Sequence, residues 1–203
     1  MKTSETQPSP TDHPKVVQEN ASLEAYLALE AQSEWKHEYD AGRILAMSGG
    51  TLSHSRLGGR AFGFMRDQIM QRGLGCEVFN SDARMYIARQ QRIFYPDATL
   101  VCGPLETAEA DPEAIVNPRL IVEVLSPTTE VRDRSHKFEA YASLESFREY
   151  VLIDSQKPRV DVFYRQDAAI WHFRMYTRRE ESIRLHSLEA DWPMAALYEG
   201  WAE

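Results

Sequence analysis

Two apolar runs that each enclose a single acid constrain this chain most: Tyr95-Pro96-Asp97-Ala98-Thr99-Leu100-Val101 and Leu120-Ile121-Val122-Glu123-Val124-Leu125. Runs this short and this continuously apolar read as strands buried on both faces. An ionised carboxylate inside such a strand is costly unless a cation or several donors meet it. Two acids in two strands therefore call for one shared positive partner, and a divalent metal is the first expectation.

The second run leads at once into Ser126-Pro127-Thr128-Thr129 and then into a helical pattern over residues 130–144, where Asp133, Lys137 and Tyr141 recur every fourth position. These three share one helix face. The helix begins close to the end of the Glu123 strand, so Lys137 can reach a site built from Asp97 and Glu123. Two acids and a lysine are the makings of a hydrolytic metal site.

The rest of the chain supplies a frame. Residues 1–20 are rich in Ser, Thr, Pro, Gln and charge, and read as a disordered tail before a single domain over residues 21–203. Ser22 caps a predicted helix that ends near Gln32. Alternation on both sides of Ala41-Gly42 predicts a hairpin with Glu38 in its first strand. Leu57, Ala61, Phe62, Met65 and Ile69 fall on one face of a helix over residues 53–71, stopped by Gly73 and Gly75. Gly58, Gly59 and Gly63 within it admit either a close backbone approach or mere tolerance. Strands are predicted at residues 76–80, 84–88 and 93–101, with Pro96 at an edge or bend. Residues 102–119 read as an exposed loop, and further strands follow near residues 149–153, 159–164, 170–176 and 183–185. Helix, strands, helix and more strands is an α+β order; no glycine-rich nucleotide loop is present.

Composition narrows the function. A chain of 203 residues with 43% apolar content suits one well-buried core. No stretch reaches the ~18 apolar residues of a membrane helix, which predicts no membrane partner and a cytoplasmic protein. Cys76 and Cys102 lie in separate runs without metal-binding spacing, and read as buried free thiols. The formal charge of −8 argues against a generic nucleic-acid coat. Arg56, Arg60, Arg66 and Arg72 on one predicted helix, with Arg132, Arg134 and Lys137 on another, offer only a weak basic signal.

The order Pro96-Asp97, a gap, then an acid in an apolar strand resembles the PD-(D/E)XK nuclease superfamily. More closely, Tyr95-Pro96-Asp97, the run from Ile121 to Thr129, the spacing Asp133, Lys137, Tyr141, and Glu149-Tyr150-Val151 resemble the Uma family of bacterial endonucleases, from about Leu23 to Tyr198. The resemblance implies a restriction-endonuclease-like fold with a central mixed sheet flanked by helices. It also implies DNA as substrate and Mg²⁺ or Mn²⁺ as cofactor. One departure stands out: the superfamily's lysine follows its acid by two residues, where this chain has Leu125, so the lysine has to come from Lys137. Cleavage of both strands would favour a homodimer.

Each candidate has a plainer reading beside it. Asp97 after Pro96 is either a metal ligand or a turn entry. Glu123 is either a metal ligand or half of a buried ion pair, with Lys137 or an arginine opposite. Lys137 either positions the attacking water and steadies charge on the phosphate or is an ordinary helix lysine. The resemblance adds three outer residues. Glu38 would be a further metal acid from the N-terminal segment, and His54 and Asp82 would be substrate contacts, with capping or turn roles as the alternatives. Asp133 reads as a surface partner of Lys137 and Tyr141 as core. A nuclease-fold module that binds without cutting is the rival function.

Overall fold

The computed structural model describes residues 14–201. Its elements are β1 (Lys15–Gln18), α1 (Leu23–Glu30), β2 (His37–Asp40), β3 (Arg43–Ala46), α2 (Leu52–Arg72), β4 (Cys76–Asn80), β5 (Arg84–Ile87), β6 (Arg92–Phe94), β7 (Ala98–Cys102), β8 (Thr107–Ala108), β9 (Asp111–Ile115), β10 (Leu120–Leu125), α3 (Phe138–Ala142), β11 (Glu149–Asp154), β12 (Val160–Arg165), β13 (Trp171–Tyr176), β14 (Ser182–Leu185), β15 (Ala190–Pro193) and α4 (Met194–Leu197). A π-helical turn, Arg132–Lys137, runs directly into α3.

Local chemistry sets the ends of these elements. Ser22 caps α1 by accepting from Ala25 N, and Thr51 caps α2 by accepting from His54 N, each at 3.2 Å. Gly73 closes α2 in the left-handed region at φ 61°. Ala41 and Gly42 join β2 to β3 with φ values of 47° and 95°, the handedness that a tight hairpin requires.

The strands form a seven-stranded sheet in the order β1-β3-β2-β6-β5-β9-β8, a six-stranded sheet β13-β12-β11-β10-β7-β4, and the pair β14-β15. The six-stranded sheet is mixed, since β10 runs parallel to β11 and antiparallel to β7. On one face Leu57 and Met65 of α2 pack with Val122, Val151 and Trp192. On the other, Tyr141 and Tyr150 pack with Ile121, Leu125 and Phe94. Cover on both faces is why β10 and β11 are apolar at nearly every position. Glu123 shares the parity of Ile121 and Leu125, so it faces α3.

Four expectations are corrected. Residues 93–101 are not one strand: β6 belongs to the seven-stranded sheet and β7 to the six-stranded one, and the chain changes sheets at Pro96, which has no N–H to give to a ladder. Residues 102–119 are not an open loop, because β8 and β9 close the seven-stranded sheet and Arg84 grips the buried Asp111 with two hydrogen bonds of 2.6 and 2.7 Å. The predicted tail is shorter, for Lys15–Gln18 pairs with β3 and Val17 packs near Tyr26 and Tyr39; residues 1–13 lie outside the described residues. Cys76 and Cys102 are not free thiols. The β4–β7 register sets them opposite each other, half-buried and joined as a disulfide, a pairing that sequence spacing does not reveal. Among the described residues no helix is long and apolar enough to cross a membrane.

Candidate active site

The sheet change at Pro96 places Asp97 at the entry of β7, beside β10. Its N–H donates to Val122 O at 3.1 Å, and its Oδ2 accepts from Val124 N at 2.7 Å. The Asp97 carboxylate is thereby fixed one strand away from Glu123. The first turn of α2 brings His54 Nε2 to 3.4 Å from the same Oδ2. One turn further on, a Cβ at Gly58 would lie 3.7 Å from Asp97 Cβ, whereas Cβ atoms at Gly59 and Gly63 would meet nothing within 4 Å. Of the three helix glycines, only Gly58 faces the candidate acid.

Lys137 stands among three carboxylates. Its Nζ lies 3.1 Å from Glu38 Oε1, 3.1 Å from Glu123 Oε1 and 3.3 Å from Asp133 Oδ1. Tyr141 Oη also donates to Glu123 Oε1 at 3.0 Å. Arg132 pairs with Glu38 Oε2 and lies over the Phe94 ring. The π-helical turn matters here: π turns concentrate at functional sites, and this one directs Arg132, Asp133 and Lys137 into the pocket while His136 reaches Asp40 at 2.9 Å.

Burial leads the electrostatics of this cluster, and the neighbouring charges modulate it. Burial pushes Glu123 well above the usual carboxylate range; Lys137 opposes that, while Asp133, Asp97 and Glu38 reinforce it. Burial also raises Asp97, against the pull of His54 and of the Val124 N–H. Glu38 differs, since Arg132 and Lys137 outweigh its burial and hold it below the ordinary value. Burial alone would lower Lys137, yet the three acids around it raise it, so it carries its charge.

Asp97, Glu123, Lys137, Glu38 and His54 line one pocket of about 380 Å³, roofed by the loops at residues 47–51 and 126–129. Asp82 does not join them. It is exposed, and Lys36 at 2.5 Å and Asn80 hold it in a turn. Sequence reasoning missed Asp133 and Arg132 as members of the cluster, and Tyr141 as a direct partner of Glu123. The signal for Asp133 was its four-residue spacing from Lys137, which marks an inward face as readily as a surface pair. Among the described residues no three His, Cys, Asp or Glu side chains converge at metal-ligand spacing; Lys137 stands between the acids.

The family described as "Uma2: Putative restriction endonuclease" matches residues 23–196. The uncharacterized protein slr1290 of Synechocystis sp. is 33% identical over 181 residues, covering 89% of this chain and 93% of its own. A second, sll1609, is 32% identical over 146 residues, 72% of this chain and 81% of its own. Among solved structures, one described as a putative nuclease belonging to DUF820 from Anabaena variabilis superposes with a TM-score of 0.71 at 15% identity. It covers 87% of this chain and 97% of that one. The mixed α+β architecture is restriction-endonuclease-like.

Proposed function

The chain belongs to the Uma2 family, described as putative restriction endonucleases, and on that premise we propose that it is a metal-dependent endonuclease that hydrolyses phosphodiester bonds of DNA in the cytoplasm. The observation that carries this reading is the charge at the base of the pocket. Glu38, Asp97, Glu123 and Asp133 meet there with Lys137 and Arg132 as the permanent cations. Four acids against two cations leave a deficit that a divalent ion matches; burial raises Asp97 and Glu123, and the neighbouring acids add to it. The donors are all hard oxygens, which suit Mg²⁺ or Mn²⁺, and Mg²⁺ is commonly held by only one or two carboxylates together with substrate phosphate.

Asp97 and Glu123, with Glu38 beside them, would hold the ion. When bound it supplies acidification of a water molecule and offsets charge on the scissile phosphate. Lys137 brings an ammonium to that place and steadies charge developing on the phosphate oxygens. Glu38 and Asp133 keep the lysine charged and aimed. Val124 N–H and Tyr141 Oη each hold one carboxylate oxygen and fix how Asp97 and Glu123 face the pocket. His54 lies at the wall beside Asp97 and would be a substrate contact. A homodimer would present two such sites to two strands.

A second reading has its own support: Lys137 already sits among three acids, as in a buried ion-pair network of a protein that binds without cutting. Incubation of plasmid and single-stranded DNA with the wild type and Asp97→Asn in Mg²⁺ or Mn²⁺ separates the two. Metal-dependent cleavage abolished in the variant upholds the endonuclease; no cleavage by the wild type in either metal favours the network.

A further inference from the structure

We infer, resting on the nuclease reading above, that the substrate engaged by this site is an unpaired nucleic-acid strand, with paired B-form duplex excluded from the pocket. Three independent observations point this way. First, the candidate site is recessed: the side chains of Glu38, Glu123, Asp133 and Lys137 are only 4%, 5%, 3% and 6% exposed, and that of Asp97 14%. A phosphate on a stacked duplex sits on a stiff, convex rod and cannot descend to them, whereas a splayed strand can. Second, the cavity of about 380 Å³ is near the lower end of the ~300–1,000 Å³ of small-ligand pockets. That is room for a nucleotide, not for a stretch of double helix.

Third, several arginines of α2 and of the π-helical turn are committed within the protein, which leaves Arg56 and Arg66 as the other, exposed arginines of α2. Arg60 donates to the carbonyls of Leu197 and Glu199 at 2.7 and 2.9 Å, and Arg72 to that of Leu188. Arg132 pairs with Glu38, and Arg134 with Glu130 and Asp161. With a formal charge of −8, two exposed arginines on α2 suit contact with one or two phosphates better than the broad counterion-releasing contact that supplies duplex affinity. An enzyme that reaches a nucleotide outside the stack avoids the cost of extruding it when the strand is already single.

The test uses the full chain and one labelled oligonucleotide, alone and annealed to its complement, at fixed Mn²⁺ and varied KCl. The single strand is expected to be cut at least about tenfold faster than the duplex. Its rate should fall with a log–log salt slope of about −0.7 to −1.4, the mark of one or two phosphates on a single strand. Equal or faster cutting of the duplex, with a slope steeper than about −5, overturns the inference and leaves the nuclease reading intact. If neither form is cut, fluorescence anisotropy in Ca²⁺ decides. Preferential binding of the single strand upholds the inference, preferential binding of the duplex overturns it, and binding of neither removes the nuclease reading and this inference together.

Discussion

Replacing Lys137 with methionine keeps most of the stem and removes the cation shared by Glu38, Glu123 and Asp133. Removing one side of a buried ion pair costs ~3–5 kcal/mol. Here the cost falls towards the lower figure, because Glu123 already holds its proton above the usual range and can go neutral, and Glu38 keeps Arg132. Asp133 is then the acid left without compensation, and the expected loss is about 3 kcal/mol. For a chain of this length that is roughly 6–12 °C in Tm, read by urea and thermal unfolding followed by circular dichroism at neutral pH. The double variant Lys137→Met/Asp133→Asn should regain ~1–2 kcal/mol, since the pair is coupled. Mn²⁺ at about a hundred times its Kd should return ~2.7 kcal/mol to the single variant. A loss below about 1 kcal/mol, the range of an exposed pair, would refute the view that Lys137 is the positive centre of the site.

Other outcomes follow from the same geometry. Glu123 and Asp97 titrate in the folded state above their ordinary values of 4.5 and 3.8, so between the unfolded and folded values the native state binds more protons than the unfolded chain. Metal-free stability should therefore decline as pH rises through that window, while Mn²⁺ affinity, which requires the same protons to leave, should climb; calorimetry from about pH 5 to about pH 8 giving a flat Kd would contradict this. The Cys76–Cys102 bond spans 26 residues of sequence and should contribute ~2–4 kcal/mol, so dithiothreitol should lower the Tm of the wild type and leave that of a Cys76→Ser/Cys102→Ser variant unmoved. Gly58→Ala should be tolerated, because its Cβ would make ordinary contact with Asp97. Gly58→Leu should weaken Mn²⁺ binding by pressing on that acid, and Gly59→Leu, which enters open space, should not.

The sequence made the helices and the later strands legible because periodicity and caps are local: the face of Leu57, Ala61 and Met65, the Ser22 cap and the Gly73 stop all appear where expected. It made Asp97 and Glu123 legible because charge in an apolar run is conspicuous and must be answered, and Lys137 through its four-residue spacing from Asp133 and Tyr141. What escaped was settled by register and by tertiary pairing. The exchange of sheets at Pro96 depends on which neighbour β6 and β7 each find. The disulfide depends on β4 lying beside β7, and the hairpin of β8 and β9 depends on Arg84 reaching Asp111. Asp133 was visible but ambiguous, since a four-residue spacing gives the same pattern on a wet face and on a buried one. The π-helical turn that resolves it has no sequence signature among residues 132–137.

The most direct test of the central claim is a calorimetric titration of Mn²⁺ into the wild type and Glu123→Gln, followed by incubation of both with single-stranded and plasmid DNA. The amide retains the shape of the side chain and can still accept from Tyr141, so the variant should keep its fold and melt only slightly earlier. The account predicts a saturable binding heat and metal-dependent cleavage in the wild type, both lost in Glu123→Gln. A wild type that binds no Mn²⁺ would contradict it and leave Asp97, Glu123, Glu38, Asp133 and Lys137 as a buried ion-pair network.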